Sequence, residues 1–282
     1  MTFVQAMLLA VLQGVSELFP ISSLGHTVLV PRLLGWPIVE SDESFLAFVV
    51  ALHLGTALAL VVFYWRTWLG IVRGFVRSVV RGRIGADRDE RIAWLLVAGT
   101  IPVGVLGVVF QASVRALFGS PLWVSIFLIV NAFIMFAGEA LRRARRQGRP
   151  VPLPRLGWPQ GVLVGCAQGF ALLPGISRSG SAIVAGLLAG LDHEDAAEYS
   201  FLLATPVILA AGALEVPKLF APEVHGIAME ALAGGLLAAV TAYASVAFLT
   251  RYFKHNDLRP FGWYCLVLGA VAAVLFASKV IS

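Results

Sequence analysis

"ALLPGISRSGSAIVAG", residues 171–186, places an arginine, a proline, three glycines and three serines inside an otherwise apolar run. A guanidinium at that position needs an environment that tolerates it, and the surrounding chain is apolar. Of 282 residues 59% are hydrophobic and 13% charged, with a mean hydropathy of +0.87. Soluble domains carry about a quarter charged residues. Apolar segments recur at 45–65, 92–110, 121–140, 199–220, 230–250 and 260–280, each close to the ~20 residues that a helix needs to cross a bilayer. The sequence predicts an all-α polytopic membrane protein forming a single membrane domain over 1–282. The opening "MTFVQAMLLAVLQG" has no basic n-region and no small-residue cleavage site, so no removable leader is expected. Cys166 and Cys265 lie in apolar segments and form no metal spacing.

The net charge of +5 does not point to nucleic acid, because the basic residues sit in particular loops. Residues 66–91 hold seven, 142–155 six and 251–259 three, which is 16 of the 21; the loops around 31–44, 111–120 and 215–229 carry one each. Basic loops stay cytoplasmic. With the three rich loops inside, the six spans alternate correctly only if residues 158–190 start and finish inside, and residues 1–34 outside. Both stretches are therefore expected to be re-entrant helical hairpins, broken at "LLPGISRSG" and "LFPISS".

A repeat supports that count. "QGVSELFPISSLGH" (13–26) and "QGFALLPGISRSGS" (168–181) share six of fourteen positions at a constant offset of 155: Gln13 with Gln168, Gly14 with Gly169, Leu18 with Leu173, Ile21-Ser22 with Ile176-Ser177, and Gly25 with Gly180. "SFL" at 44–46 returns at 200–202. Each unit, 1–141 and 158–282, is one hairpin plus three spans. Three is odd, so the second copy is expected upside down, an inverted repeat with its site where the broken helices meet.

Helix breakers followed by serine mark a stop and a new N-cap. Fresh helix N-termini at Ser22 and Ser177 would offer unpaired N–H groups to an anion, with Arg178 adding a fork that matches phosphate oxygens. The first tip differs in kind: Glu17 replaces Leu172, and His26 replaces Ser181. Gln13 and Glu17 share a helical face at i, i+4. A carboxylate, hydroxyls and an imidazole on one tip and a guanidinium on the other suit phosphoryl chemistry.

At these residues the chain resembles the undecaprenyl-pyrophosphate phosphatases, also called bacitracin-resistance proteins, whose (E/Q)xxxE, PxSSxGH and PGxSRSG motifs match "QGVSELFPISSLGH" and "PGISRSG". The resemblance implies hydrolysis of undecaprenyl pyrophosphate to the monophosphate in the bacterial cytoplasmic (inner) membrane, recycling the lipid carrier of cell-wall synthesis. It implies a site opening outward and dependent on a divalent cation, Mg²⁺ or Ca²⁺. By position, Gln13 and Glu17 would be the metal-associated pair, Ser23 the nucleophile and His26 its partner. Arg178 would bind the pyrophosphate, with Ser22, Gly175, Ser177 and Ser179 beside it. Two departures stand out: Gln13 carries no charge at the first acidic position, and Leu24 replaces a small hydroxyl residue of many members.

Two routes stay open at this point, attack by Ser23 with His26 as base and attack by a metal-activated water. The competing function is a polyprenyl-phosphate transporter or flippase on the same repeat, but a carrier needs ligands and no nucleophile. Lipid and undecaprenyl pyrophosphate are the expected partners, with a second copy as a homodimer partner and no nucleic acid. The bland reading of Glu17 and Arg178 is a structural ion pair. His53, Thr56, Thr205 and Ser181 read as polar packing residues in a bundle, Glu139 as an acid near the inner interface, and the Trp and Tyr residues at 64–68, 158 and 263–264 as interfacial anchors.

Overall fold

The structure, a computed structural model, describes residues 1–36, 43–118, 120–145, 150–215 and 226–281. The described residues are helices and their connections, with no strand among them. Six segments are long and apolar enough to cross a membrane: Ser44–Phe63, Arg88–Phe110, Pro121–Ala144, His193–Ala213, Ala228–Tyr252 and Arg259–Ala277. Five match the expected spans to within four residues at either end, and His193–Ala213 begins six residues before the expected 199. The far end of the span expected at 199–220 lies outside the described residues, as do parts of the loops at 31–44, 142–155 and 215–229.

Two pairs of shorter helices sit where the broken stretches were expected. The first is α1 (Phe3–Ser16) with α2 (Ser23–Leu33). In chain order α3 (Glu43–Phe63), α4 (Trp65–Arg81), α5 (Arg88–Phe118) and α6 (Pro121–Arg145) follow. The second pair is α7 (Trp158–Ala167) with α8 (Arg178–Leu188), followed by α9 (His193–Glu215), α10 (Ala228–Tyr252) and α11 (Arg259–Ala277). At 1.5 Å per residue the 14 residues of α1 rise only about 21 Å, short of a ~30 Å hydrocarbon layer.

The basic stretch 66–91, expected as a connection, contains a helix instead. Only Tyr64 separates α4 from α3. Valine and arginine alternate so that α4 has three faces: Ile71, Gly74 and Ser78 pack inward, Leu69, Val72, Val76 and Val80 are exposed, and Arg73, Arg77 and Arg81 form a basic stripe. A count of charges saw only the arginines; their 3.6-residue periodicity carried the helix. Gly82, at φ +64°, ends it in a left-handed cap.

The two halves interlock by exchange. α1 packs on α10 and α7 on α5; α3 packs on α10 and α5 on α9; α3 also meets α9, and α6 meets α11. Swapping first-half elements for their second-half counterparts leaves this set of pairings unchanged. Bare glycine backbone permits the closest approaches. Gly14 lies against the Ala238 carbonyl, Gly55 against the Gly235 carbonyl, and Gly165 against Gly99; a Cβ at any of the three would collide with backbone. Small residues at crossings are how apolar helices gain van der Waals contact in lipid.

Candidate active site

Each tip starts its second short helix with the same side-chain cap. Ser22 caps α2, its Oγ accepting from Gly25 N at 3.2 Å; Ser177 caps α8, its Oγ accepting from Gly180 N at 3.1 Å. The two caps are related by the repeat offset of 155. The tips then touch reciprocally. Gly25 approaches Gly175, and Gly180 approaches Pro20, each with room for at most a tight Cβ contact of 3.2 Å. Gly175 takes φ +113°, a conformation that suits glycine, and its backbone lies on Val124 and Leu128 of α6. Ser22 also has a positive φ, +70°, without being glycine. Strained backbone of that kind persists where surrounding contacts over-determine it and concentrates at functional sites.

Glu17 is the hub. Its Oε2 accepts from Ser23 Oγ at 2.6 Å and from Gln13 Nε2 at 3.0 Å, and lies 3.4 Å from His53 Nε2. Its Oε1 accepts from Arg178 Nη2 at 3.2 Å, while Arg178 Nη1 donates to the Ser200 carbonyl at 3.3 Å. The structure thus brings together four of the expected residues, Gln13, Glu17, Ser23 and Arg178, from both tips. Ser177 and Ser179 pair through their hydroxyls at 3.0 Å, and Ser179 Oγ donates to the Phe19 carbonyl of the opposite tip at 3.2 Å.

His26 is placed differently from expectation. Its Nδ1 donates to the Ser22 carbonyl at 2.7 Å, and its Nε2 pairs with the Tyr264 hydroxyl at 2.7 Å, the two rings stacking at 5.6 Å. A carbonyl only accepts, so Nδ1 carries a proton. The partner of the Ser23 hydroxyl is Glu17, and His26 holds the strained Ser22 peptide against α11. Tyr264, expected as an interfacial anchor, supplies that contact.

Three further residues were not expected to take part. His53, assigned to helix–helix bonding, anchors Nδ1 on the Val49 carbonyl at 2.8 Å and turns Nε2 to Glu17. Its signal was available, since an ionisable side chain within an apolar span is a functional candidate by default. Asn131 of α6 joins the tips: Nδ2 donates to the Pro20 carbonyl at 3.1 Å and Oδ1 accepts from Ser177 N at 3.0 Å. Gln168 lines the cavity described next; its match to Gln13 was the only hint. Glu139 lies apart, as expected, bonded to His193 Nε2 at 2.6 Å and to Leu258 N at 3.1 Å.

A cavity of about 400 Å³ opens between the tips. Glu17, Ser22, Ser23, His53, Ser177 and Arg178 form its polar end; Val103, Leu172, Ile176, Val207 and Ile208 belong to its apolar wall. A pocket with a small set of convergent polar groups and an apolar body suits an amphipathic ligand with an anionic head. Since Glu17 and Arg178 both face it, their ion pair is an accessible wall of a cavity.

The model of the bacitracin resistance protein BacA family matches residues 6–271. The chain belongs to that family. Among relatives, it is 46% identical to "Undecaprenyl-diphosphatase" of Mycobacterium avium (strain 104), with 99% of each chain covered. It is 45% identical to "Undecaprenyl-diphosphatase" of Acidiphilium cryptum (strain JF-5) and 40% identical to "Undecaprenyl-diphosphatase 2" of Frankia alni, with 98% of each chain covered. In this BacA-family chain the motif residues Glu17, Ser22, Ser23, Ser177 and Arg178 line the cavity.

Proposed function

We propose that this protein is an integral membrane phosphatase that hydrolyses undecaprenyl pyrophosphate to undecaprenyl phosphate and inorganic phosphate, recycling the lipid carrier for cell-wall synthesis. The observation that carries the reading is the Ser23–Glu17–Arg178 constellation lining a cavity with an apolar wall. A carrier has no use for a hydroxyl held 2.6 Å from a carboxylate; a phosphoryl-transfer enzyme does. The full-length match to relatives named for that activity supports it.

The diphosphate would sit at the polar end and the prenyl chain along the apolar wall. Arg178 and the N-terminal peptide groups of α2 and α8 would bind the terminal phosphoryl. Ser23 Oγ attacks the terminal phosphorus while its proton passes to Glu17 Oε2. The P–O bond to the bridging oxygen breaks, and undecaprenyl phosphate leaves. Water then cleaves the phosphoserine, releasing phosphate and restoring the hydroxyl. His26, bonded to Ser22 and Tyr264, acts in this scheme by fixing the tip that carries Ser23.

A divalent cation, Mg²⁺ or Ca²⁺, fits the oxygen chemistry present. Glu17 would hold it, with Gln13 Oε1, a buried acceptor without a partner among the described residues, as the second protein oxygen. Hard cations of this kind bind through one or two protein carboxylates and complete their shell with substrate phosphate and water. When bound, the ion would offset the charge of the diphosphate.

The exchange of pairings between halves and the reciprocal tip contacts support an inverted repeat, with α1–α2 and α7–α8 as hairpins that dip into the bilayer from opposite sides. With the basic loops inside, the cavity opens to the outer face of the cytoplasmic membrane. The test is phosphate release from a long-chain prenyl pyrophosphate by the purified protein in detergent, with and without Mg²⁺ or Ca²⁺. Metal-dependent release, lost in Glu17→Ala and Arg178→Ala, is the expected result. Retained binding of prenyl phosphate with no release by folded wild type would replace the enzyme with a lipid carrier.

A further inference from the structure

Gln168 is 1% exposed, lines the cavity, and has neither its Nε2 nor its Oε1 paired among the described residues. Its counterpart in the repeat, Gln13, donates Nε2 to Glu17 four residues on. In the second half Leu172 occupies the position of Glu17, so Gln168 has no such acceptor. A buried amide left unpaired is destabilising, and an amide –NH2 is a good donor to a phosphoryl oxygen. Ala171, Leu172, Val103 and Val207 line the same cavity and are apolar, and Ser23 and Arg178 line it as well. Gln168 is thus an uncharged, unpaired amide on a cavity that also holds a guanidinium and an apolar wall.

We propose that Gln168 binds the proximal, lipid-linked phosphoryl group, donating Nε2–H to a non-bridging oxygen of the group that stays on the product. This rests on the phosphatase reading above and adds a subsite to it. The terminal phosphoryl is gripped by a cation and leaves; the proximal one is held by a neutral donor and departs with its lipid. A neutral donor serves that purpose because it orients the group without holding the monophosphate as tightly as a second arginine would.

The test compares three ligands with one geranylgeranyl chain: the alcohol, the monophosphate, and the non-hydrolysable methylenediphosphonate. Their binding to purified wild type and to Gln168→Met, which keeps the shape and removes the amide, is measured by calorimetry in detergent. Expected is unchanged affinity for the alcohol and about tenfold weaker binding of both phosphorylated ligands, the scale of one hydrogen bond to a charged group. Arg178→Ala, in contrast, should weaken the diphosphonate far more than the monophosphate. Monophosphate affinity within about twofold of wild type would overturn the assignment, as would equal loss for all three ligands, which would make Gln168 a packing residue. Should Gln168→Met fail to fold, Gln168→Asn, which retracts the amide by one methylene, must give the same pattern at reduced size. A wild type that binds these ligands without hydrolysing prenyl pyrophosphate would remove the enzyme reading and leave the subsite standing.

Discussion

At the scale of single residues, the centre depends on bonds that converge on Glu17 from both tips. Ser23 and Gln13 come from its own tip, Arg178 from the other and His53 from α3. Glu17→Gln keeps the shape but removes the charge facing Arg178 and the acceptor for the Ser23 proton. Phosphate release should fall by at least about a hundredfold, in the range of general-base loss, while the melting temperature changes little. Asn131 calls for the opposite experiment. It touches neither Glu17 nor Arg178, yet it is the one side chain whose amide ties the Pro20 carbonyl to Ser177 N. Asn131→Leu leaves the Ser177 N–H without its acceptor and the Pro20 carbonyl with only the Cys265 thiol at 4.0 Å, a loss of about 1–3 kcal/mol, and lets the tips part. Thermal unfolding should shift down and kcat fall with it; Asn131→Asp, which keeps the acceptor for Ser177 N, should lose less of both. Equal kcat in wild type and Asn131→Leu would show that the tips keep their register without that bridge.

At the scale of elements, what was legible depended on periodicity and repetition. The six spans and the two tips could be read because apolar length and a 155-residue offset are properties of the string. α4 could not be read from charge alone, and Asn131 was hidden for a different reason: its role comes from an element far away in sequence, α6, converging on the tips. The repeat could mark Gln168 but could not show that its amide lacks a partner, since that follows from Leu172 replacing a carboxylate. Glycine at helix crossings gives a direct check on the packing. Gly165 of α7 lies on Gly99 of α5, and Gly14 of α1 on the Ala238 carbonyl of α10. These are equivalent crossings, one in each half of the exchange. Gly165→Leu and Gly14→Leu should each push a tip-bearing helix off its support, at a cost of about 1–3 kcal/mol or more from overpacking. Both should lower yield and thermal stability in detergent, whereas leucine at Gly104, which has open space around it, should be neutral. Stability unaffected at Gly165 would mean that α7 does not rest on α5 at that point.

At the scale of the whole molecule, charge and fold make one joint statement about orientation. The inner-loop assignment rests on arginines and lysines in 66–91, 142–155 and 251–259, and the structure ties these regions to one another. Arg143 of α6 pairs with Asp257 beside α11, Arg88 of α5 with Glu198 of α9, and Lys254 with Glu194 of α9. Glu139 fastens the same end of α6 to His193 and to the Leu258 amide before α11. Exposed pairs of this sort add little stability, typically under about 1 kcal/mol, so their value here is as markers that the basic segments share one face. If that face is cytoplasmic, a single cysteine at Ile84, in the α4–α5 turn of a chain whose Cys166 and Cys265 are replaced by alanine, is shielded in intact cells and reacts with an impermeant maleimide only after permeabilisation. A cysteine at Ser120, before α6, should react in intact cells. The two readings are linked by α5, a single helix between them, so they must invert together or not at all. Reaction at Ile84→Cys in intact cells with protection at Ser120→Cys would turn the molecule over and put the cavity mouth on the cytoplasmic side. Reaction at both positions would mean that α5 does not cross, which would break the count of spans on which the proposed inverted repeat depends.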